Sequence, residues 1–358
     1  MNSYRDYTLN WYRACWLWMA LYSSLLPCTV IVTLPLGAFC VLRGYSQLSD
    51  FVLVLCLSLS IGIPLLKALG FLPTMPQLNY KITALEEVLG AQTLAQGTEE
   101  FTGADDTISY QNVSFGYGDH SVIHQVSFTA RAGQKTALVG ESGSGKSTLA
   151  KLLIHYYDVS EGQICIGGQD IRSLSLEALN EKISYVAQDQ YLFPTSIYEN
   201  IRLGRPKAKR EEVLEAARKA QCLEFIEKLP EGIDSQAGDA GKMLSGGQRQ
   251  RISLARAILK DAPIVVLDEA TAYADAENEE KMEQVIAQLV KGKTQLVIAH
   301  KLSAVRDADQ ILVMKEGNLE AAGTHAELLL KSEEYQRLWR AHEGSRSWKL
   351  RAQGGEQR

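Results

Sequence analysis

Thr136-Ala-Leu-Val139 leads straight into Gly140-Glu141-Ser142-Gly143-Ser144-Gly145-Lys146-Ser147, and Thr148-Leu-Ala-Lys-Leu-Leu153 follows without a gap. An apolar strand, a glycine-rich loop and a helix start in that order are the context that the pattern G-x-x-x-x-G-K-[ST] requires. Glycines let the backbone curl until successive N–H groups point inward at phosphate oxygens. The helix N-terminus adds partial positive charge. Lys146 is the residue for the β- and γ-phosphates, and the Ser147 hydroxyl the one for Mg²⁺. This stretch predicts an α/β domain that holds a nucleoside triphosphate.

Such a loop needs an acidic partner delivered by a buried strand. Ile264-Val-Val-Leu267 supplies one, with Asp268 placed to hold the metal shell and Glu269 next along to accept a proton from attacking water. Two adjacent acids after a strand are, by themselves, more often a solvated turn; the company of the glycine-rich loop tips the reading to catalysis. Around these segments, β-rich runs (108–115, 135–139, 264–267, 294–298, 310–313) alternate with helical ones (149–154, 210–220, 279–289), which argues for a largely parallel sheet covered by helices.

Upstream the texture differs. No charged residue occurs from Ala14 to Leu42, between Arg13 and Arg43, and a second uncharged run covers Phe51 to Leu66, extending to Leu72 past Lys67. About 20 mainly apolar residues cross a bilayer, so two transmembrane helices are expected at about 14–42 and 51–72, with Pro27 and Pro35 as kinks. Trp11, Tyr12, Trp16 and Trp18 crowd the start of the first run as an interfacial belt does. Residues 1–80 are thus read as a partial transmembrane domain and 81–106 as a linker, helical in periodicity over Lys81–Leu89 and polar from Ala91 to Asp106. Residues 107–343 form the nucleotide-binding domain, and 344–358 a polar tail.

Composition narrows the classes further. The 358 residues are 46% hydrophobic and 22% charged, with acidic side chains exceeding basic ones 42 to 37. A balance of −5 argues against a dedicated nucleic-acid binder. The six cysteines, Cys15, Cys28, Cys40, Cys56, Cys165 and Cys222, form no C-x-x-C pair, so buried or lipid-facing thiols are expected rather than a disulfide framework.

Leu244-Ser245-Gly246-Gly247-Gln248-Arg-Gln-Arg251, just ahead of the acidic strand, resembles the signature motif of ATP-binding cassette (ABC) proteins. The resemblance runs from about Asp106 to His342 and implies an α/β P-loop NTPase cassette with a helical signature subdomain, preceded here by an all-α membrane region of two transmembrane helices. It assigns roles residue by residue. Gly140 to Thr148 (Glu141, Ser142, Gly143, Ser144, Gly145, Lys146 and Ser147 between them) would hold the phosphates of ATP. Tyr117 would stack on adenine. Ser147, Gln188 and Asp268 would hold Mg²⁺. Glu269, with Gln188 and His300, would carry hydrolysis, and Asp275 would stand in the loop that follows. Ser245, Gly246, Gly247 and Gln248 would act in trans on ATP held by a second ABC subunit, which makes a homodimer or heterodimer the working unit.

Membrane helices placed before the cassette are the export-type order. Thr195-Ser-Ile-Tyr-Glu-Asn-Ile201 and Gly238-Asp239-Ala-Gly241 are likewise similar to export-type half-transporters, although Asp239 stands where that family usually has glutamate. The family half-transporter carries six membrane helices. The two read here are identified as resembling its last pair, and the chain as a fragment of a longer subunit. The expectation is an ATP-hydrolysing transporter subunit of the cell membrane, with its ATPase domain in the cytoplasm. Its partners would be the bilayer, an unidentified cargo and no nucleic acid. A non-transport ABC ATPase acting in regulation, translation or repair is the alternative; it fits poorly with one cassette, no long heptad run and two apolar segments.

Overall fold

A computed structural model describes residues 9–10, 13, 16–17, 20–21, 24, 29–71, 75–90, 94–268, 276–299 and 302–354. The chain divides into two compact units, Met1–Thr93 and Leu94–Arg358.

In the first unit, helices Thr29–Leu42 and Leu48–Phe71 form a hairpin, and helix Met75–Gly90 follows. Two backbone bonds close the first helix: Tyr45 N–H donates to the Cys40 carbonyl at 2.9 Å and Gly44 N–H to Val41 at 3.1 Å. That pattern needs a left-handed residue at Gly44, whose φ is +76°. At Gly37 the second helix comes so close that a Cβ would lie 2.2 Å from the Phe51 ring. Among the described residues no helix is long and apolar enough to cross a membrane. The spans expected at 14–42 and 51–72 therefore rest on sequence.

The second unit is built on two sheets. The strands are β1 (Ile108–Tyr117), β2 (His120–Ala130), β3 (Lys135–Gly140), β4 (Glu161–Ile166), β5 (Gln169–Asp170), β6 (Ile183–Val186), β7 (Ile264–Asp268), β8 (Thr294–Ile298), β9 (Gln310–Lys315) and β10 (Asn318–Gly323). One sheet has the order β2-β1-β4-β5 and is antiparallel; the other has the order β10-β9-β3-β8-β7-β6, parallel throughout except for β10 at its edge. The parallel strands are continuous apolar runs buried on both faces, as Ile264–Asp268 is at every residue. Alternation of side chains then splits β7 between two cores. Ile264 and Val266 pack with Leu149, Leu152 and Leu153 of helix Lys146–Leu153 and with the antiparallel sheet. Val265 and Leu267 pack with the helical subdomain inserted between β6 and β7, whose long element is Gly246–Lys260.

Within 81–106, the stretch with helical periodicity, Lys81–Leu89, lies in helix Met75–Gly90, and residues 94–106 belong to the second unit. Glu99 N–H donates to the Ser173 carbonyl, Ala104 N–H to Gly167, and Lys182 sits 3.9 Å from the centre of the Phe101 ring. Helix Glu333–Gly354 continues into the segment read as a polar tail, 344–358. Once a helix is nucleated, Arg, Lys, Leu, Ala and Gln extend it at little cost, without an apolar face.

Candidate nucleotide-binding site

β3 is central in the parallel sheet and hands its chain to the loop 140–145. Gly140, Gly143 and Gly145 have φ of +150°, +82° and +96°. At Gly140 a Cβ would lie 2.2 Å from the Met314 carbonyl oxygen. Only glycine fits there, so the loop's curl is dictated by its sequence. Helix Lys146–Leu153 starts on Gly145, which offers no side-chain cap, and a helix N-terminus that opens on such a loop suits an anion. The Lys146 ammonium is buried within the loop, donating to the carbonyls of Gly140 at 2.9 Å and Glu141 at 2.7 Å and to Ser144 Oγ at 3.2 Å. Ser144 and Thr148 are buried, while Glu141, Ser142 and Gly143 face solvent. Glu141 is held from outside by Arg337 at 2.7 Å.

One strand away, past β8, β7 ends on Asp268. Its carboxylate is 2% exposed and takes two hydroxyl donors: Ser147 Oγ to Oδ1 at 3.0 Å, and the Tyr185 hydroxyl to Oδ2 at 3.1 Å. A serine hydroxyl and a carboxylate in contact beside a phosphate-sized loop are hard oxygen ligands. Together they fit a Mg²⁺ ion with most of its water retained. Burial, then the adjoining Asp268 charge, pushes the Tyr185 phenol far above its ordinary range, so it stays a donor. Tyr185 was not singled out from sequence; its place in an apolar strand gives no signal that its hydroxyl meets Asp268.

Gln188 lies two residues beyond β6, at the same sheet edge, because Val186 pairs with Leu267 in parallel register; it is exposed. Tyr117 ends β1, is 38% exposed, and its hydroxyl is 3.4 Å from Thr148 Oγ1 on the phosphate-loop helix. The fold thus gathers Gly140 to Thr148, Asp268 and Tyr117. Glu269, Asp275 and His300 lie outside the described residues.

The signature residues take a second part. The Ser245 hydroxyl accepts from Gln248 N–H at 3.3 Å, and the Gln248 side-chain oxygen accepts from Ser245 N–H at 2.9 Å. This reciprocal pair caps helix Gly246–Lys260. The S-x-x-Q spacing at Ser245 and Gln248 is the sequence signal of this cap. Gly246 and Gly247 form the first helical turn, and at Gly247 a Cβ would meet nothing within 4 Å. The helix is anchored further down by Arg256. Its guanidinium donates to the Asn200 carbonyl at 2.8 Å, to Asn200 Oδ1 at 3.1 Å and to the Tyr191 carbonyl at 3.4 Å. Asn200 is fully buried and also receives Phe193 N–H. This hub joins the segment after Gln188 to the signature helix.

Residues 123–272 match the ABC transporter family. The chain is 45% identical over 239 residues to an ATP-dependent lipid A-core flippase of Syntrophus aciditrophicus (strain SB), covering 67% of this chain and 40% of the relative. It is 39% identical over 287 residues to another, from Methylobacillus flagellatus (strain ATCC 51484 / DSM 6875 / VKM B-1610 / KT), covering 77% and 49%. Among solved structures, a bacterial Atm1-family ABC exporter with ATP bound superposes with a TM-score of 0.69 at 34% identity, over 81% of this chain and 52% of that one. The chain spans less than half the length of these two flippases. Loop, acidic strand, signature helix and matches together establish that the chain belongs to the ABC transporter family and carries an ATPase cassette of the export-type half-transporter class.

Proposed function

We propose that the chain works as the ATP-hydrolysing part of an export-type ABC transporter, coupling cassette closure and hydrolysis to movement of a cargo across a membrane. The observation that carries this reading is the contact of Ser147 with Asp268 at 3.0 Å beside the glycine loop and its buried lysine. Backbone N–H groups of the loop bind the phosphates of ATP, Lys146 offsets their charge, and Tyr117 stacks on adenine. Ser147 and Asp268, with Gln188, would hold Mg²⁺, which when bound would supply positive charge to offset the negative charge of the triphosphate. Glu269 accepts a proton as water attacks the γ-phosphorus. The bond to the bridging oxygen breaks toward ADP, and His300 stabilises the transferred group.

Two chains complete each site. Ser245, Gly246 and Gly247 of one cassette close on the γ-phosphate held by the other, using a helix N-terminus already capped. ATP binds the closed pair better than the open one, and that difference drives the attached helices. The two apolar segments, 14–42 and 51–72, span the bilayer and leave the cassette in the cytoplasm. The names of the relatives support a lipid-like amphiphile as the first cargo to test. The direct test is phosphate release by Glu269→Gln in the purified chain. Turnover is expected to fall about 10²–10⁴-fold with ATP binding kept; undiminished turnover removes Glu269 as the base. Extraction by alkaline carbonate would remove the two spans.

A further inference from the structure

The phosphate-loop helix ends in the turn His155-Tyr156-Tyr157-Asp158, and its two tyrosine rings go to opposite ends of the site. His155 takes φ +57° and its Nε2 lies 2.6 Å from Asp158 Oδ1. Backbone bonds from His155 N–H to Leu152 and from Tyr156 N–H to Lys151 close the turn on the helix. Tyr156 packs edge-on to Tyr185, with centroids 6.4 Å apart, and Tyr185 is the residue that donates to Asp268. Tyr157 meets Tyr117 edge-on, with centroids 5.2 Å apart and planes at 88°, and also touches Phe115 at 5.5 Å. Phe115 in turn meets Tyr117 at 4.9 Å and 87°.

These contacts are not equivalent. Phe115 and Tyr117 lie two apart on one strand and move together. Tyr157 belongs to the helix whose other end forms the phosphate loop. Its contact fixes the Tyr117 ring relative to the phosphates, the separation a nucleotide must match. Tyr117 stands at a strand end before a two-residue hairpin and is 38% exposed. Its hydroxyl also reaches Thr148 Oγ1 on the same helix at 3.4 Å, a contact at the ring's tip, and the edge of Tyr157 adds a second hold on the ring itself. Tyr157 is 40% exposed and leaves aromatic surface beside it.

We propose that Tyr157 is a positioning residue of the adenine site: it holds Tyr117 at the base-to-phosphate spacing of ATP and so selects a nucleotide over a bare polyphosphate. This rests on the reading of Tyr117 as the adenine-stacking ring. Holding that ring in advance contributes to affinity by cutting the ordering cost of binding.

The test is equilibrium binding to the full chain, by calorimetry, of MgATP and of magnesium tripolyphosphate, which has no base. Tyr157→Leu should weaken ATP about two- to tenfold, the range for an aromatic pair. Tripolyphosphate should be unaffected, and Tyr157→Phe should bind ATP like the parent. Unchanged ATP binding in Tyr157→Leu overturns the proposal. So does an equal loss for both ligands, which would mean that the substitution damaged the loop itself. If Tyr157→Leu does not fold, Tyr157→Met carries the same comparison. Tyr117→Leu separates the two ideas: if it weakens ATP while Tyr157→Leu does not, only the role of Tyr157 fails. If Tyr117→Leu binds ATP normally, the adenine reading fails and takes the proposal with it.

Discussion

Replacing Tyr185 with phenylalanine removes one oxygen atom and keeps the ring against Tyr156. What is lost is the 3.1 Å bond to Asp268 Oδ2, leaving that buried carboxylate with Ser147 as its hydroxyl donor. A hydrogen bond to a charged group contributes about 1.5–3 kcal/mol. Tyr185 is only partly buried, so water can replace part of the bond and the low end applies. At about 1.4 kcal/mol per factor of ten, the expected effect is roughly tenfold. Two consequences oppose each other. The freed oxygen gains a lone pair to offer a cation, but the carboxylate loses the contact that fixes its plane. Outer-shell substitutions usually cost about 10–100-fold in metal affinity, so orientation wins. The assay is phosphate release at saturating ATP as free Mg²⁺ is varied. Tyr185→Phe should raise the half-saturating Mg²⁺ about tenfold and approach parental turnover at high Mg²⁺. A half-saturating concentration equal to or below the parent's would refute the reasoning.

Other perturbations follow from the same geometry. Gly140→Ala would place a methyl 2.2 Å from the Met314 carbonyl oxygen at φ +150°, costing about 2–4 kcal/mol in overlap and strain. Calorimetry should find ATP binding lost and the unfolding temperature lowered. Arg256→Met removes the donors that Asn200 and Tyr191 accept from and should cost about 2–4 kcal/mol in denaturant unfolding. Arg256→Lys should not restore it, since one ammonium cannot reproduce the fork. Arg337, followed by Lys315, holds the Glu334 carboxyl below its usual range. A depressed carboxylate stabilises the fold above its unfolded pKa of about 4.3, and this contribution is lost as pH falls through the folded value. Unfolding midpoints followed from about pH 5 to pH 3 should therefore drop more steeply in the parent than in Glu334→Gln.

The phosphate loop, Asp268 and the signature helix were legible because each joins a composition to a spacing: glycines where φ is positive, an acid closing an apolar run, small residues opening a helix. Of the parallel strands, β3, β7, β8 and β9 were legible as apolar runs and β6, four residues with a serine and a tyrosine, was not. Of the antiparallel sheet only β1 was legible, because β2, β4 and β5 are half-exposed and carry polar residues such as Gln125, Gln163 and Gln169 along their length. Register shifts between β1 and β2, from Tyr110 to Gly116, further break the alternation. Tyr185 and Tyr157 escaped for a different reason: their importance lies in what they touch across the fold, and no local pattern encodes that. The segment 94–106 looked like a linker because polarity alone does not reveal whether a hydrogen-bond partner is water or another strand.

The self-contained cap on the signature helix separates two properties that are usually lost together. Ser245 holds the helix end by offering an oxygen to Gln248 N–H, and aspartate or asparagine does that job as well. An aspartate there would leave the helical subdomain intact yet set a negative charge against any triphosphate presented to it. Position 245 can therefore be switched off without being broken. A Ser245→Asp chain should still fold and bind ATP at its own loop; in the pair proposed above, it would veto the one site to which it lends its signature. On that proposal, mixed pairs of such chains with the parent would count how many of the two sites turnover needs.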